Sequence, residues 1–238
     1  MKKERLDKVL ASQGTLTRRQ VRELTDRGLV ILNGAPCRRC DTKIDIENDR
    51  ITVQGETIQL RQFVYIMLNK PVGVVSATRD DCRKTVLDLL PEALRRRGLF
   101  PAGRLDKDTT GMMIITDDGQ LSHRILSPKN HVPKTYLVTV DRTLDPYLVA
   151  AFAEGVKIDG GERCMPAALE ILGEKQACVV LRQGMYHQIK RMFAAFGYEV
   201  TALTRTAMGA LQLDPELAPG ECRLLTPEEV VRLQCREP

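Results

Sequence analysis

Residues 103–111 read Gly103-Arg104-Leu105-Asp106-Lys107-Asp108-Thr109-Thr110-Gly111, and the apolar run Met112 to Thr116 follows directly. Two acids, two bases and two hydroxyl residues stand between bounding glycines, at the entrance to what reads as a buried strand. Loops anchored on a rigid sheet are where folds commonly hold reactive groups. Arg104 beside Asp106 favours the charged form of that carboxylate, and an ionised, positioned carboxylate serves as a nucleophile or a base. Taken alone, such a cluster is more commonly a turn of solvated charges.

Outward from this loop, short strand patterns alternate with helical ones. Phe63 to Leu68 is a near-continuous apolar run that predicts a buried strand, ending in Asn69-Lys70-Pro71-Val72-Gly73. Leu87 to Leu99 reads as helical, with Arg95-Arg96-Arg97 as solvated surface, and Asp117-Asp118-Gly119 reads as the turn closing the strand Met112 to Thr116. Thr135 to Val140 alternates with a period of two, Ala177 to Leu181 predicts another strand, and Ile189, Met192, Phe193 and Phe196 give Tyr186 to Phe196 a helical spacing. The expected class is α+β with a mostly antiparallel mixed sheet.

The first part of the chain has a different character. Leu6, Val9 and Leu10 recur at helical spacing, and Gly14 ends that helix. Thr17 and Gln20 form a Thr-x-x-Gln capping box for a second helix, whose expected stop is Gly28. Leu29 to Leu32 predicts a strand, and Asn33-Gly34 a hairpin turn. Arg18 and Arg22 are four residues apart, hence on one helix face, and near a helix N-terminus whose amides also favour anions. The polar stretch Glu56 to Gln62 reads as a linker, which gives a small domain over 1–58 and a larger one over 59–238.

With 43% hydrophobic and 28% charged residues, the 238-residue chain can bury a real core, which argues against disordered and fibrous classes. The net charge of +5 is too mild to identify a nucleic-acid binder by itself. Among 7 cysteines only Cys37 and Cys40 form a Cys-x-x-Cys pair, and no second pair completes a zinc site, so free thiols in a reducing compartment are expected. There is no signal-peptide pattern and no apolar run of membrane-spanning length, which predicts a cytoplasmic protein. Neither a dinucleotide fingerprint nor a Walker loop is present.

The segment Gly103-Arg104-Leu105-Asp106-x-x-Thr109-x-Gly111 resembles the second motif of pseudouridine synthases. Asn69-Lys70-Pro71-x-Gly73, Lys134-Thr135-Tyr136-Leu137-Val138 and His187-Gln188-Ile189-Lys190-Arg191-Met192 match further motifs in family order. Arg5-Leu6-Asp7-Lys8-x-Leu10, Thr17-Arg18-Arg19 and Gly28-x-Val30-x-x-Asn33-Gly34 resemble the S4 RNA-binding module. Thr116 to Ile125 and the ending Leu217-Ala218-Pro219-Gly220-Glu221 resemble the branch acting on small-subunit ribosomal RNA.

The resemblance implies isomerisation of uridine to pseudouridine in ribosomal RNA, at uridine 516 of the 16S molecule, with no cofactor or metal. It implies Asp106 as nucleophile, Tyr136 as the ring that stacks on uracil with a hydroxyl suited to taking the C5 proton, and Lys190 as the basic partner of the nucleophile. Arg104 would fill the space left by the flipped nucleotide, Ile189 would form an apolar wall, and Asn69 and Lys70 would contact substrate. Arg5, Lys8, Arg18, Arg19 and Arg22 would bind RNA, in a protein expected to act as a monomer on a folded or assembling small-subunit particle. His187 is left outside catalysis. The departures Gln183 and Met185 stand where relatives carry an acid and a base, which puts a secondary RNA contact or local ion pair in doubt. Three alternatives remain open at this level: a synthase acting on 23S ribosomal RNA, a non-catalytic RNA-binding assembly factor, and a glycoside hydrolase using Asp106 and Asp108. The last would need the two carboxylates opposed across a bond.

Overall fold

The computed structural model describes residues 3–14, 16–130 and 132–237. The chain forms two compact units, one of Met1–Val64 with Leu90–Leu99, the other of Tyr65–Leu89 with Phe100–Pro238. A division after residue 58 was expected; the first unit instead runs six residues further and takes in a later segment.

In the first unit the helices Leu6–Ser12 and Arg18–Asp26 pack on short strands. Thr17 accepts from the Gln20 amide while the Gln20 side chain accepts from the Thr17 amide, so the capping box forms as the sequence predicts. Leu6, Val9, Leu10 and Val21 bury against Val30, Ile44 and Ile51. The strands run in the order Ala35–Pro36, Val30–Leu32, Ile51–Val53, Glu56–Ile58, with Asn33 and Gly34 both at positive φ in the first hairpin. The expected linker is therefore partly a strand. Glu56–Ile58 pairs antiparallel with Ile51–Val53 across a Gln54-Gly55 turn, and its polarity reflects an edge that faces solvent.

Leu87 to Leu99 is not a helix. Its helical content is a single 3₁₀ turn, Glu92–Leu94, flanked by extended Pro91 and Arg95, with Gly98 at φ 84°. Nor is the arginine run wholly solvated: the half-buried Arg96 donates to the carbonyls of Arg61 and Gln62. At Gly14 a Cβ would lie 2.3 Å from the Arg95 carbonyl oxygen, so this close approach requires glycine.

The second unit is built on one mixed sheet. Its strands lie in the order Ala168–Gly173, Gln176–Leu181, Lys134–Val140, Val200–Met208, Thr110–Thr116, Tyr65–Lys70, Cys222–Leu224. All pairings along this path are antiparallel except that between Val200–Met208 and Thr110–Thr116, where Thr204 pairs with Thr110 and Arg205 with Gly111. One core cluster gathers Val138, Phe152, Val179, Ile189 and Phe193; another gathers Met67, Met112, Ile114, Leu121 and Met208. The Phe152 and Phe193 rings are fully buried, 5.0 Å apart, and each contributes about 1.5–3 kcal/mol by leaving water. Asp118 does more than close a turn. Its carboxylate accepts from the amides of Gln120 and Leu121 and so caps the helix Gly119–Leu126, which the turn-like sequence concealed.

Candidate active site

The loop carrying Asp106 is held from below. Lys70 is fully buried at the end of the strand Tyr65–Lys70, and its ammonium donates to the carbonyls of Pro71 (3.1 Å), Lys107 (3.3 Å) and Thr109 (2.8 Å). Burial pushes its pKa down to about 8, against the opposing pull of Asp108 and Asp106. The Gly73 amide donates to Lys107, and the Ser76 hydroxyl both donates to the Leu105 carbonyl and accepts from the Leu105 amide. Asn69 donates to the Leu217 carbonyl. Neither Asn69 nor Lys70 lines the cavity described next. The Lys70 ammonium is engaged in fixing the loop, and the Asn69 side chain ties the strand end to the segment that carries Leu217.

Above the loop lies a cavity of about 670 Å³, lined by Arg104, Asp106, Tyr136, Ile189 and Lys190 among others. This is in the size range that takes a nucleotide-sized ligand. The five side chains that the motifs predicted as nucleophile, base, basic partner, wall and wedge thus converge on one space. They come from the loop, the strand Lys134–Val140 and the helix Gln188–Ala194.

Lys190 bridges two carboxylates. Its ammonium lies 3.5 Å from Asp106 Oδ2 and donates to both Asp108 oxygens at 2.6 and 2.7 Å. That contact holds the Asp108 carboxyl below its ordinary range. His187 Nε2 lies 3.3 Å from Asp106 Oδ1. Among the described residues, the basic side chains set against Asp106 are therefore Lys190 and His187 rather than its sequence neighbour Arg104, which is exposed at the cavity wall.

His187 is a site residue that the sequence reading set aside. It sits at φ 49° as the residue preceding the helix, with its ring stacked on that of Tyr186 at 3.9 Å. A left-handed backbone at a bulky residue is uncommon and marks positions that the surroundings over-determine. Its place in the motif, three residues before Lys190, was the signal available. Helix formation then brings both side chains to the one carboxylate.

The two departures are accommodated locally. Gln183 Oε1 accepts from the Met165 amide and from Gln188 Nε2, while Gln188 Oε1 accepts from the Met185 amide. A neutral amide network thus holds the turn entering the helix.

In the first unit, Arg5, Lys8, Arg18, Arg19 and Arg22 line one depression together with Asp7. Arg5 forks onto the 5%-exposed Asp7, Lys8 pairs with Glu4 and Arg19 with Glu23. Arg18 and Arg22 carry no ion pair among the described residues. All 7 cysteines are free thiols, and among the described residues no group of three or more His, Cys, Asp or Glu is placed to hold a metal ion. No helix among them is long and apolar enough to cross a membrane.

Comparison with known proteins agrees with this geometry. The RNA pseudouridylate synthase family profile matches residues 64–195. An uncharacterized RNA pseudouridine synthase of Bacillus subtilis is 45% identical over 230 residues, covering 95% of this chain and 96% of that one. The ribosomal small subunit pseudouridine synthase A of Haemophilus influenzae is 41% identical over 231 residues, covering 96% and 99%. Its counterpart from Escherichia coli is 41% identical over 227 residues, covering 95% and 98%. A solved pseudouridylate synthase superposes with a TM-score of 0.68 at 41% identity, covering 97% of this chain and 99% of the other. With the motif residues gathered at one cavity and these likenesses spanning nearly the whole chain, the protein belongs to the RNA pseudouridylate synthase family and is an isomerase of uridine in RNA.

Proposed function

We propose that this enzyme converts one uridine of small-subunit ribosomal RNA, uridine 516 of the 16S molecule, to pseudouridine, with Asp106 as the nucleophile. The observation that carries the chemistry is the placement of Asp106 against Lys190 at 3.5 Å and His187 at 3.3 Å, beside the cavity that Tyr136 and Ile189 line. A basic group against each oxygen fixes the orientation of the carboxylate, and a positioned carboxylate can attack as a nucleophile. Support for the substrate comes from the full-length likeness to relatives named for the small ribosomal subunit.

A uridine in folded RNA is out of reach of a carboxylate until it is turned out of its stack. The exposed Arg104 at the cavity wall suits the space such a base leaves, since a guanidinium both stacks and binds phosphate. Tyr136 offers a ring for the uracil to lie on and a hydroxyl for its C5 proton. The first unit acts as an S4-type RNA-binding module, in which Arg18 and Arg22, without an ion pair among the described residues, are the cations placed to meet phosphate. Selection of one uridine then rests on RNA shape around the flipped base. The enzyme works as a cytoplasmic monomer on a folded or assembling particle.

The test offers 16S and 23S transcripts to the purified protein and maps pseudouridine in each, alongside ribosomal RNA from cells with and without the gene. Modification at 516 of the 16S molecule is the expected result. Product confined to 23S RNA would overturn the substrate and leave the family standing.

A further inference from the structure

We propose that Arg205 and Lys134 form an anion site in the floor of the cavity, which holds the uracil while it is detached from its ribose. This rests on the functional reading above and adds two residues to it. Both side chains line the same cavity as Asp106 and Tyr136. In the sheet Arg205 pairs directly opposite Tyr136, and Lys134 precedes Tyr136 by two residues, on the same face of the strand.

What singles them out is unspent hydrogen-bonding capacity. Arg205 is 2% exposed; its Nε donates to the Met112 carbonyl at 2.8 Å, while its buried Nη2 has no partner among the described residues. The buried hydroxyl of Thr109, which also lines the cavity, has none either. Lys134 is 8% exposed, and the hydrogen bond of its ammonium runs to the Val132 carbonyl at 2.9 Å. No carboxylate forms an ion pair with either cation among the described residues. Lys70, by contrast, is a buried cation with a structural task in the same unit, and it is given three carbonyl acceptors.

Burying two cations close together costs several kcal/mol unless an acceptor meets them. Burial and the neighbouring Arg205 charge push the Lys134 pKa down to about 8, which leaves it charged at neutral pH. Such a pair suits an anion that forms within the cavity.

The reaction makes one. When C1′–N1 breaks, its electron pair stays on the ring, and the resulting monoanion spreads charge over N1 and the two carbonyl oxygens. As N1 leaves, the Asp106 carboxylate bonds to C1′. After the ring turns, a ring electron pair forms the C1′–C5 bond while the C1′–O bond breaks and its pair returns to the carboxylate; C5 then gives up its proton to a base, and N1 takes one up. Atoms and electrons are conserved, and no co-reactant is consumed. Bound uridine and product are neutral at the ring, so fixed donors aimed at the carbonyl oxygens favour the detached state over both.

The experiment uses the full chain, a 16S transcript and four variants: Arg205→Met, Arg205→Lys, Lys134→Met and, as control, Asp106→Asn. Melting temperature, RNA affinity and single-turnover rate at saturating RNA are measured for each. Arg205→Met is expected to slow the rate by about 100-fold, the scale of losing one fixed donor to a developing anion, with affinity within threefold of wild type. Arg205→Lys should recover at least about tenfold of that loss, since it keeps the charge. Lys134→Met, which removes a buried cation and should not lower the melting temperature, tests the site even if Arg205→Met does not fold; it should lose at least about tenfold in rate. Lys134→Met turning over within threefold of wild type, or Arg205→Lys as slow as a folded Arg205→Met, overturns the anion site. If the wild type is active and Asp106→Asn is dead while those results hold, the anion site alone fails. A wild type inactive on every transcript would overturn the functional reading, and the anion site with it.

Discussion

Asp106 and Asn have nearly the same volume, so Asp106→Asn changes charge and nucleophilicity while leaving the loop ties through Lys70, Gly73 and Ser76 in place. We expect single-turnover isomerisation to fall by about 10⁴-fold or more, on the scale seen when a nucleophile is removed, with RNA affinity within threefold of wild type. Activity near that of the wild type would remove Asp106 from the nucleophile's role. Lys134 gives a prediction about pH. Its pKa in the folded chain is about 8, below its ordinary value of 10.5, so between those values the unfolded chain binds more protons. Stability from this group therefore rises as pH climbs from about 8 to about 10.5, and is at its minimum below that window. Lys134→Met should then stabilise the protein at pH 7 by about 1–3 kcal/mol, with the gain shrinking toward pH 10. Chemical denaturation at the two pH values measures it. An equal shift at both would mean the ammonium is not penalised by burial.

At the scale of the element, the active-site strand Thr110–Thr116 depends on one glycine. A Cβ at Gly111 would lie 2.3 Å from the Arg205 carbonyl oxygen and 2.9 Å from its amide nitrogen, and the residue sits at φ 95°. Gly111→Ala should cost about 3 kcal/mol or more, because backbone must move in a parallel pairing that has no slack. Gly73 has a similar φ of 88° but nothing within 4 Å of an added Cβ. Gly73→Ala should cost only the local strain of about 1–2 kcal/mol. Unfolding midpoints of the two variants compare them directly. Equal losses would show that φ, rather than the close approach, governs Gly111.

At the scale of the whole molecule, RNA affinity should divide unequally among the basic residues of the first unit. Arg5, Lys8 and Arg19 already form ion pairs with carboxylates, whereas Arg18 and Arg22 form none among the described residues. Each phosphate neutralised contributes about 0.7–0.9 to the slope of log affinity against log salt. Changing Arg18 and Arg22 to Ala should flatten that slope by about 1.4–1.8, and changing Arg19 should flatten it less. An unchanged slope in the double variant would mean that these arginines do not meet phosphate. Point variants are preferable here to removing residues 1–58. That truncation would strip Leu90–Leu99 of the unit it belongs to, including the contact of Gly14 with Arg95.

Much of this protein is legible from the sequence where the deciding contacts are local. The capping box Thr17–Gln20, the Asn33-Gly34 turn and the alternation of Lys134–Val140 each involve residues within a few positions of one another, so pattern alone specifies them. The motif order brought forward Asp106, Tyr136, Ile189 and Lys190, which the fold gathers around one cavity. What only the tertiary structure decided is where each polar group spends its hydrogen bonds. Lys70, which reads as a substrate contact, is consumed by three loop carbonyls. His187, which reads as structural, reaches Asp106, and Arg205, silent in the sequence, keeps a donor unspent beneath the site. Likewise, Leu90–Leu99 carries helix-forming residues but takes its shape from Gly14, Arg61 and Gln62. A buried cation or an irregular segment is defined by partners dozens of residues away, and no local pattern encodes them.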